Sequence, residues 1–312
     1  MERHHTALAA LLALQLLVIA GIWMFADGGS ASEPHRLVAF ERDAVSAIDI
    51  DDRTTTVRIE RTSDGWALPG EEVLPVDDAK VATLLDKLEQ AEAPWPVATS
   101  ESSAERFEVT AENYQRRVRL FDGDDQAAEV FFGTSPGFRK VHARLADTSD
   151  VYAVAFANFE ASIAAEDWLD KTLLQPKGAI SAITRKTGYT ITQADAAWTL
   201  TDASTTETLN QDTARDLASK LANLRVLGRA EAAPAADAVA LMTFDIVAEG
   251  GPLQLSFYRA AEEGDFLLGS DRFGAYFRVS EYIGEGLNLD RQALLVSPPT
   301  TETPAPAVNE AS

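Results

Sequence analysis

The chain of 312 residues contains no cysteine, only four histidines and far fewer bases than acids, with 27 Lys and Arg against 49 Asp and Glu. Without cysteine it cannot form a disulfide framework, a thiolate zinc site, an iron–sulfur cluster or a cysteine nucleophile. The net charge of −22 opposes nonspecific binding to nucleic acid or to anionic lipid headgroups. Hydrophobic residues still make up 46% of the chain, which predicts folded domains rather than a disordered polymer.

One uncharged apolar run lies near the N-terminus. Residues 6–26 read TALAALLALQLLVIAGIWMFA, and as a helix this run would span about 30 Å, the thickness of a bilayer core. A cleaved signal peptide would have a shorter apolar region ending at a small-residue site, and here the nearest such site, at residues 30–32, follows a polar break. The run therefore predicts an uncleaved single-pass anchor. Arg3 predicts that residues 1–5 are cytoplasmic and that the main body lies outside the cytoplasm.

The body of the chain repeats one pattern of residues. The segment AVSAI at 44–48 recurs as AISAI at 179–183, and each copy continues into alternating β-type residues that reach a Trp-x-Leu triplet. Trp66 begins the first triplet and Trp198 begins the second. Each triplet is followed by an apolar stripe with helical spacing, preceded by a capping residue, Asp77 or Asn210. Further strand-like segments complete both copies.

This order of β-hairpin, helix and antiparallel strands predicts an α+β fold built from two tandem related repeats, at 43–175 and 176–296. It differs from the βαβ alternation of a doubly wound nucleotide-binding sheet. Residues 27–42 read as a linker between the anchor and the first repeat. The Pro- and Thr-rich segment 297–312 is typical of a disordered tail.

The most tempting catalytic motif is G-x-S-x-G at 133–137. In an α/β-hydrolase the backbone N–H after the nucleophile helps to form the oxyanion hole, but here that residue is Pro136, which has no N–H. The segment after Ser135 is strand-like rather than helical, and the last histidine, His142, is only seven residues away. The pattern therefore favours a β-turn, with a hydrolase as a less favoured alternative.

Metal and acid–base chemistry have weak support in the sequence. His4, His5, His35 and His142 have no metal-ligand spacing. The Asp-rich segments 51–52 and 122–125 are typical of turns, and the second lacks the full spacing and the distal Glu of a calcium loop. Glu166, Asp167 and Asp170 could act as paired carboxylates, although such pairs are common in so acidic a chain.

The repeated tryptophans, Trp66 and Trp198, could stack on a ligand, but their matched positions favour core anchors. The sequence contains no P-loop, no dinucleotide fingerprint and no basic–aromatic stripe for nucleic acid. We therefore expect no catalytic residue, no metal ligand, no cofactor site and no nucleic-acid partner.

Several of these segments together resemble one bacterial family. They are the hairpin GWAL at 65–68, PVD at 75–77 before a Leu-rich helix, Gly133 before a strand pair, VYAV at 151–154 and WLDKTLL at 168–174. This combination resembles the domain-of-unknown-function 4340 (DUF4340) family over most of residues 45–174, and more weakly to residue 295. The chain departs from the family at 106–109, where RFEV stands near an expected Gly-Leu pair.

The resemblance implies a role but no activity. Genes of this family often lie beside those of an ABC-type export system with a gliding-motility-like auxiliary subunit. The implied role is a periplasmic accessory or scaffold protein, held in the bacterial inner membrane by its N-terminal helix and associated with ABC transporter or gliding-like auxiliary subunits. The family defines no catalytic residues to carry over. A periplasmic binding module for a lipid, glycan or peptide is the alternative.

Overall fold

The computed structural model describes residues 35–260 and 264–296, together with Gln15. Apart from Gln15, the predicted anchor at 6–26 lies outside the described residues, as do residues 27–34 of the predicted linker and the predicted tail at 297–312. Within the described part of the chain, no helix is long and apolar enough to span a membrane.

The described chain consists mainly of antiparallel strands with short helices, and it is an α+β fold as the sequence predicts. The strands are β1 (His35–Arg36), β2 (Ala47–Asp51), β3 (Thr56–Thr62), β4 (Gly65–Leu68), β5 (Leu74–Pro75), β6 (Glu92–Ala93), β7 (Arg116–Asp122), β8 (Asp125–Phe132), β9 (Val141–Leu145), β10 (Tyr152–Val154), β11 (Ile180–Arg185), β12 (Tyr189–Ala194), β13 (Ala197–Leu200), β14 (Gly228–Arg229), β15 (Met242–Ala248), β16 (Gly251–Arg259), β17 (Phe266–Ser270) and β18 (Phe277–Val279). The α-helices are α1 (Asp78–Glu89), α2 (Glu101–Arg106), α3 (Ala165–Trp168), α4 (Gln211–Ala222) and α5 (Glu281–Leu287).

These elements form two compact units. The first comprises the described residues of 1–56 together with Thr83–Ile163, and the second comprises Val57–Ala82 together with the described residues of 164–312. The second unit therefore includes a stretch that the sequence assigned to the first repeat.

In the first unit, β7, β8, β9 and β10 form an antiparallel meander, and β2 pairs with the other edge of β7. Ile48 pairs with Leu120 and Ile50 pairs with Val118, and all four side chains are at most 1% exposed. Alternate residues of a strand point to one face, so this spacing sends one apolar face of β2 and β7 into the core. The short strand β1 pairs with β6.

In the second unit, β3, β4 and β5 form a small antiparallel meander, and a separate eight-stranded sheet has the order β13-β12-β11-β15-β16-β17-β18-β14. The largest fully buried side chains of this sheet are Phe244, Phe257, Phe266 and Phe277. Helix α4 buries Ala214, Leu217 and Leu221, which recur at helical spacing.

Both predicted helix caps are confirmed. The Asn210 side chain accepts hydrogen bonds from the backbone N–H groups of Asp212 and Thr213, and the Asp77 carboxylate accepts one from Ala79 across 3.1 Å. Such side chains satisfy N–H groups that have no partner inside the helix, so the local sequence defines where α1 and α4 begin.

Candidate functional site

Three of the segments that carry the family resemblance meet in the second unit. Main-chain hydrogen bonds of 2.8–2.9 Å run from Val76 N–H to the Trp66 carbonyl, from Asp77 N–H to the Trp168 carbonyl and from Asp170 N–H to the Pro75 carbonyl. The GWAL hairpin, the start of α1 and the WLDK segment are therefore one hydrogen-bonded assembly, although about ninety residues separate the start of α1 from the WLDK segment in sequence.

Each repeated tryptophan is tied to the first residue of the following helix. The backbone N–H of Trp66 donates to Asp78 Oδ1 across 2.9 Å, and the backbone N–H of Trp198 donates to Gln211 Oε1 across 3.0 Å. Gln211 Nε2 donates in return to the Trp198 carbonyl, at 2.7 Å. With side chains only 9% and 3% exposed, Trp66 and Trp198 are core residues, which confirms that interpretation over ligand stacking.

Beside this assembly the second unit has an open cavity of about 550 Å³, a size typical of small-molecule sites. Leu68, Leu74 and Leu169, which belong to the family segments or adjoin them, form part of its apolar wall. Its charged lining residues are Glu72, Glu166, Arg229 and Glu231.

Two of the lining carboxylates are held by partners inside the fold. Glu72 accepts hydrogen bonds from the backbone N–H groups of Gly274 and Ala275, each at 2.7 Å, with one oxygen for each. Glu166 forms an ion pair with Arg278 at 3.2 Å. Among the described residues, Arg229 and Glu231 form no ion pair, so they are the charges of the cavity that a ligand could engage.

Two lysines donate hydrogen bonds to main-chain carbonyl groups next to residues that line the cavity. Lys80 Nζ donates to the Asp167 carbonyl, and Lys171 Nζ donates to the Leu227 carbonyl. Burial lowers the pKa of Lys171, while the nearby charge of Glu166 opposes that shift. The two ammonium groups thus bind the main chain of α3 and of the residue before β14, and both α3 and β14 supply residues to the cavity lining.

The carboxylates around Trp168 have separate roles. Glu166 pairs with Arg278, whereas Asp170 Oδ1 accepts hydrogen bonds from the backbone N–H and the hydroxyl of Thr172, at 2.8 and 2.6 Å. Paired acid–base catalysis needs two carboxyl groups directed at one reacting atom. Asp170 instead stabilises a local turn, and Glu166 forms an ion pair at the surface.

Ser135 and His142 also have partners other than each other. Ser135 Oγ lies 2.7 Å from the carbonyl oxygens of both Gly137 and Lys140, within the predicted turn. His142 Nδ1 lies 2.9 Å from Thr134 Oγ1, and the imidazole stacks on Phe107 with ring centroids 4.0 Å apart. Burial lowers the pKa of His142. A serine nucleophile needs a base within hydrogen-bond reach. The Ser135 hydroxyl and the His142 imidazole instead contact the other groups named above.

The Asp-rich segments form turns as predicted, except that Asp51 is the buried last residue of β2. Asp122 pairs with Asp125 across the β7–β8 hairpin, where Gly123 has a φ of +58°. Asp52 Oδ1 accepts hydrogen bonds from the backbone N–H groups of Thr54 and Thr55, and its hydrogen bonds, led by one from the Thr54 hydroxyl, lower its pKa. No cluster of three or more His, Asp or Glu suited to a metal ion occurs in the described ranges.

Sequence reasoning missed a buried charge cluster in the first unit. Asp51, only 2% exposed, accepts hydrogen bonds from Tyr114 and from Arg117, the latter at 2.9 Å, and Asp49 pairs with Arg119 at 3.1 Å. The available signal was the alternation of Asp at 49 and 51 against Arg at 117 and 119. Its meaning depends on the pairing of β2 with β7, which the alternation alone does not show.

Comparison with known proteins identifies the family. The model of the domain of unknown function DUF4340 matches residues 66–241, which is more than half of the 312 residues. This match begins at Trp66 and includes the rest of the GWAL segment and the WLDK segment, which border the cavity. No curated protein matches the chain, and no solved structure does. The chain belongs to the DUF4340 family.

Proposed function

We propose that this protein is a membrane-anchored extracytoplasmic accessory or scaffold protein that associates with an ABC-type transport system and catalyses no reaction itself. The observation that carries the proposal is that the most specific family residues form structural hydrogen bonds. The main-chain carbonyl groups of Trp66 and Trp168 accept the hydrogen bonds that join the core assembly, and Asp170 closes a turn beside it. Residues committed to architecture suit a protein that presents surfaces to partners.

The proposed location depends on the apolar run at 6–26. Its length and lack of charge suit a single-pass anchor in the bacterial inner membrane, with the body in the periplasm. An anchored body with protein-binding surfaces fits an accessory subunit that stays near membrane-embedded partners.

The proposed body consists of two tandem related repeats. Three shared features support duplication: a Trp tied to the first residue of a helix, a first strand paired with the first strand of a later meander (β2 with β7, β11 with β15), and a meander that closes each copy. Two such repeats would double the surface available to partners.

Crosslinking in cells tests the proposed association. Because the chain lacks cysteine, single cysteines placed at exposed positions such as Tyr282 and Val239 can carry a photoactivatable crosslinker without background. We expect purification in mild detergent to recover crosslinked transporter subunits. Clean isolation of the protein alone, with no transporter subunit crosslinked from any position, would refute the association.

The cavity supports a second candidate, a binding module for a short peptide segment. Its leucines offer an apolar wall, and Arg229 and Glu231 offer opposite charges at the rim. The lining has no aromatic ring on which a sugar could stack, which disfavours a glycan.

Native mass spectrometry of the full chain in mild detergent tests the second candidate. We expect a bound peptide whose occupancy falls in Arg229→Ala and Glu231→Ala, while Arg225→Ala, an exposed control outside the cavity, keeps the occupancy unchanged. Mass spectra without any bound peptide, or equal occupancy in all three variants, would count against this candidate.

A further inference from the structure

Two phenylalanines project into solvent at one end of the first unit. Phe138 is 85% exposed and Phe159 is 80% exposed. Phe138 lies in the loop before β9 and Phe159 lies in the turn after β10, and Val141 pairs with Val154 where those strands meet the loops. Both loops also line one small cavity of about 200 Å³. We call Phe138, Arg139, Lys140 and Phe159 the tip.

Hydrogen bonds hold the tip loop in its projecting form. Ser135 Oγ contacts the carbonyl oxygens of Gly137 and Lys140, and Lys140 N–H donates to the Gly137 carbonyl across 3.3 Å. At the base of the loop, His142 N–H donates to the Thr134 carbonyl across 2.8 Å. The loop is therefore ordered without burying Phe138, so the exposure of that ring is a property of the fold.

The tip is cationic as well as apolar. The Arg139 guanidinium lies 4.9 Å from the centroid of the Phe138 ring, and Lys140 is exposed beside it. The neighbouring acid Glu160 is paired with Lys87 at 3.2 Å, and Glu108 accepts a hydrogen bond from Gln115. Aromatic rings next to bases are typical of protein segments at a membrane surface, where the ring enters the interface and the base meets anionic headgroups.

The first residue after the predicted anchor and residues 27–34 lies against β10, a strand that ends at the tip. His35 contacts Tyr152, with ring centroids 5.8 Å apart, and Tyr152 is the first residue of β10, whose last residue, Val154, lies at the tip. From there the chain runs to the opposite end of the sheet, where Ala47 pairs with Phe121 next to the β7–β8 turn. The first described segment of the first unit therefore lies beside β10, one short strand away from the tip. Residues 27–34, fully extended, reach at most about 29 Å, so His35 and the adjacent β10, which ends at the tip, stay near whatever holds residues 6–26.

We propose that the tip docks on the surface of the bilayer that holds the anchor, with Phe138 and Phe159 in the interface and Arg139 and Lys140 at anionic headgroups. The proposal rests on the membrane anchor proposed above. The net charge of −22 repels the rest of the body from an anionic surface. The tip is then the contact that fixes which end of the first unit faces the membrane.

A fluorophore at the tip tests the docking. In the cysteine-free full chain, Phe138→Cys and the control Val239→Cys, at a position 88% exposed, each carry one environment-sensitive label. The proteins are reconstituted in vesicles of phosphatidylcholine with phosphatidylglycerol. We expect the label at 138 to shift to shorter wavelength, to be quenched by nitroxide lipids and to be shielded from iodide. The label at 239 should show the reverse, and adding Arg139→Gln and Lys140→Gln should weaken the quenching at 138.

The outcomes separate this inference from the anchor proposal. An alkaline carbonate wash first establishes that the chain stays in the vesicles, and matched unfolding temperatures establish that the variants fold. If the chain stays but the label at 138 behaves like that at 239, the docking is refuted and the anchor stands. If shielding at 138 requires added transporter subunits, the tip contacts protein and the lipid proposal is overturned. If the chain washes off, both proposals fail.

Discussion

The backbone N–H of Trp66 donates a hydrogen bond to the Asp78 carboxylate across 2.9 Å, joining the GWAL hairpin to the first residue of α1. The Trp198–Gln211 pair provides the same connection before α4. In each case a polar side chain at a helix start satisfies a main-chain donor beside a buried indole. The position of the helix relative to the hairpin is thus set by one directional contact as well as by apolar packing.

Replacement of Asp78 tests that contact. Asp78→Ala leaves the Trp66 N–H without its acceptor and should lower the free energy of unfolding by about 1–2 kcal/mol. Asp78→Asn keeps an acceptor oxygen and should recover most of that loss. Urea unfolding followed by tryptophan fluorescence measures both. Equal stability of the alanine and asparagine variants would show that the hydrogen bond contributes nothing.

Two glycines of the G-x-S-x-G motif should respond differently to alanine. A Cβ on Gly133 would lie 2.0 Å from the Phe107 carbonyl oxygen and 2.4 Å from that of Glu108, whereas a Cβ on Gly137 would meet no atom of the described residues within 4 Å. Gly133→Ala should therefore cost about 1–3 kcal/mol or more, and Gly137→Ala should stay within about 0.5 kcal/mol of the parent. Thermal unfolding of the two variants measures the difference. An unchanged unfolding temperature in Gly133→Ala would contradict the close packing around Gly133.

Two buried tyrosines offer a matched pair for hydroxyl removal. The Tyr114 hydroxyl donates to the buried Asp51 carboxylate, while the Tyr189 hydroxyl is buried and has no hydrogen-bond partner among the described residues. Tyr114→Phe should lower the free energy of unfolding by about 2 kcal/mol. Tyr189→Phe should be neutral or stabilising, because it removes an unsatisfied polar group. Chemical denaturation compares the two, and a larger loss for Tyr189→Phe would be the contrary result.

The same tyrosines predict how stability changes at high pH. Burial, aided by Asp51 in the case of Tyr114, raises the pKa of both Tyr114 and Tyr189 to about 12 from the usual 10.0. The folded state therefore keeps protons that the unfolded state releases. This contribution to stability is complete below pH 10 and is lost as the pH rises towards 12. Unfolding from about pH 9 to about pH 12 should show the decline, and it should be shallower in the Tyr114→Phe/Tyr189→Phe variant.

Local chemistry made much of the fold readable from the sequence. Asp77 and Asn210 mark the starts of α1 and α4, because a capping side chain acts on N–H groups two or three residues away. The Asp-rich turn at 122–125 follows from the same short-range preferences. Helix α2 was missed, although Ser100 caps it by accepting a hydrogen bond from Ser103 N–H, because six residues give little apolar periodicity.

The sequence by itself determined the α+β class, the core positions of Trp66 and Trp198, and the family, since each depends on residue types at short spacing. Only the tertiary structure decided the Asp51–Tyr114–Arg117 cluster, the cavity and the tip. The cavity needs residues 68–74, 165–169 and 229–231 side by side, and the tip needs β9 paired with β10. Those contacts join residues far apart in the chain, and their partners are selected by strand register and the packing of the whole core, which no short stretch of sequence encodes.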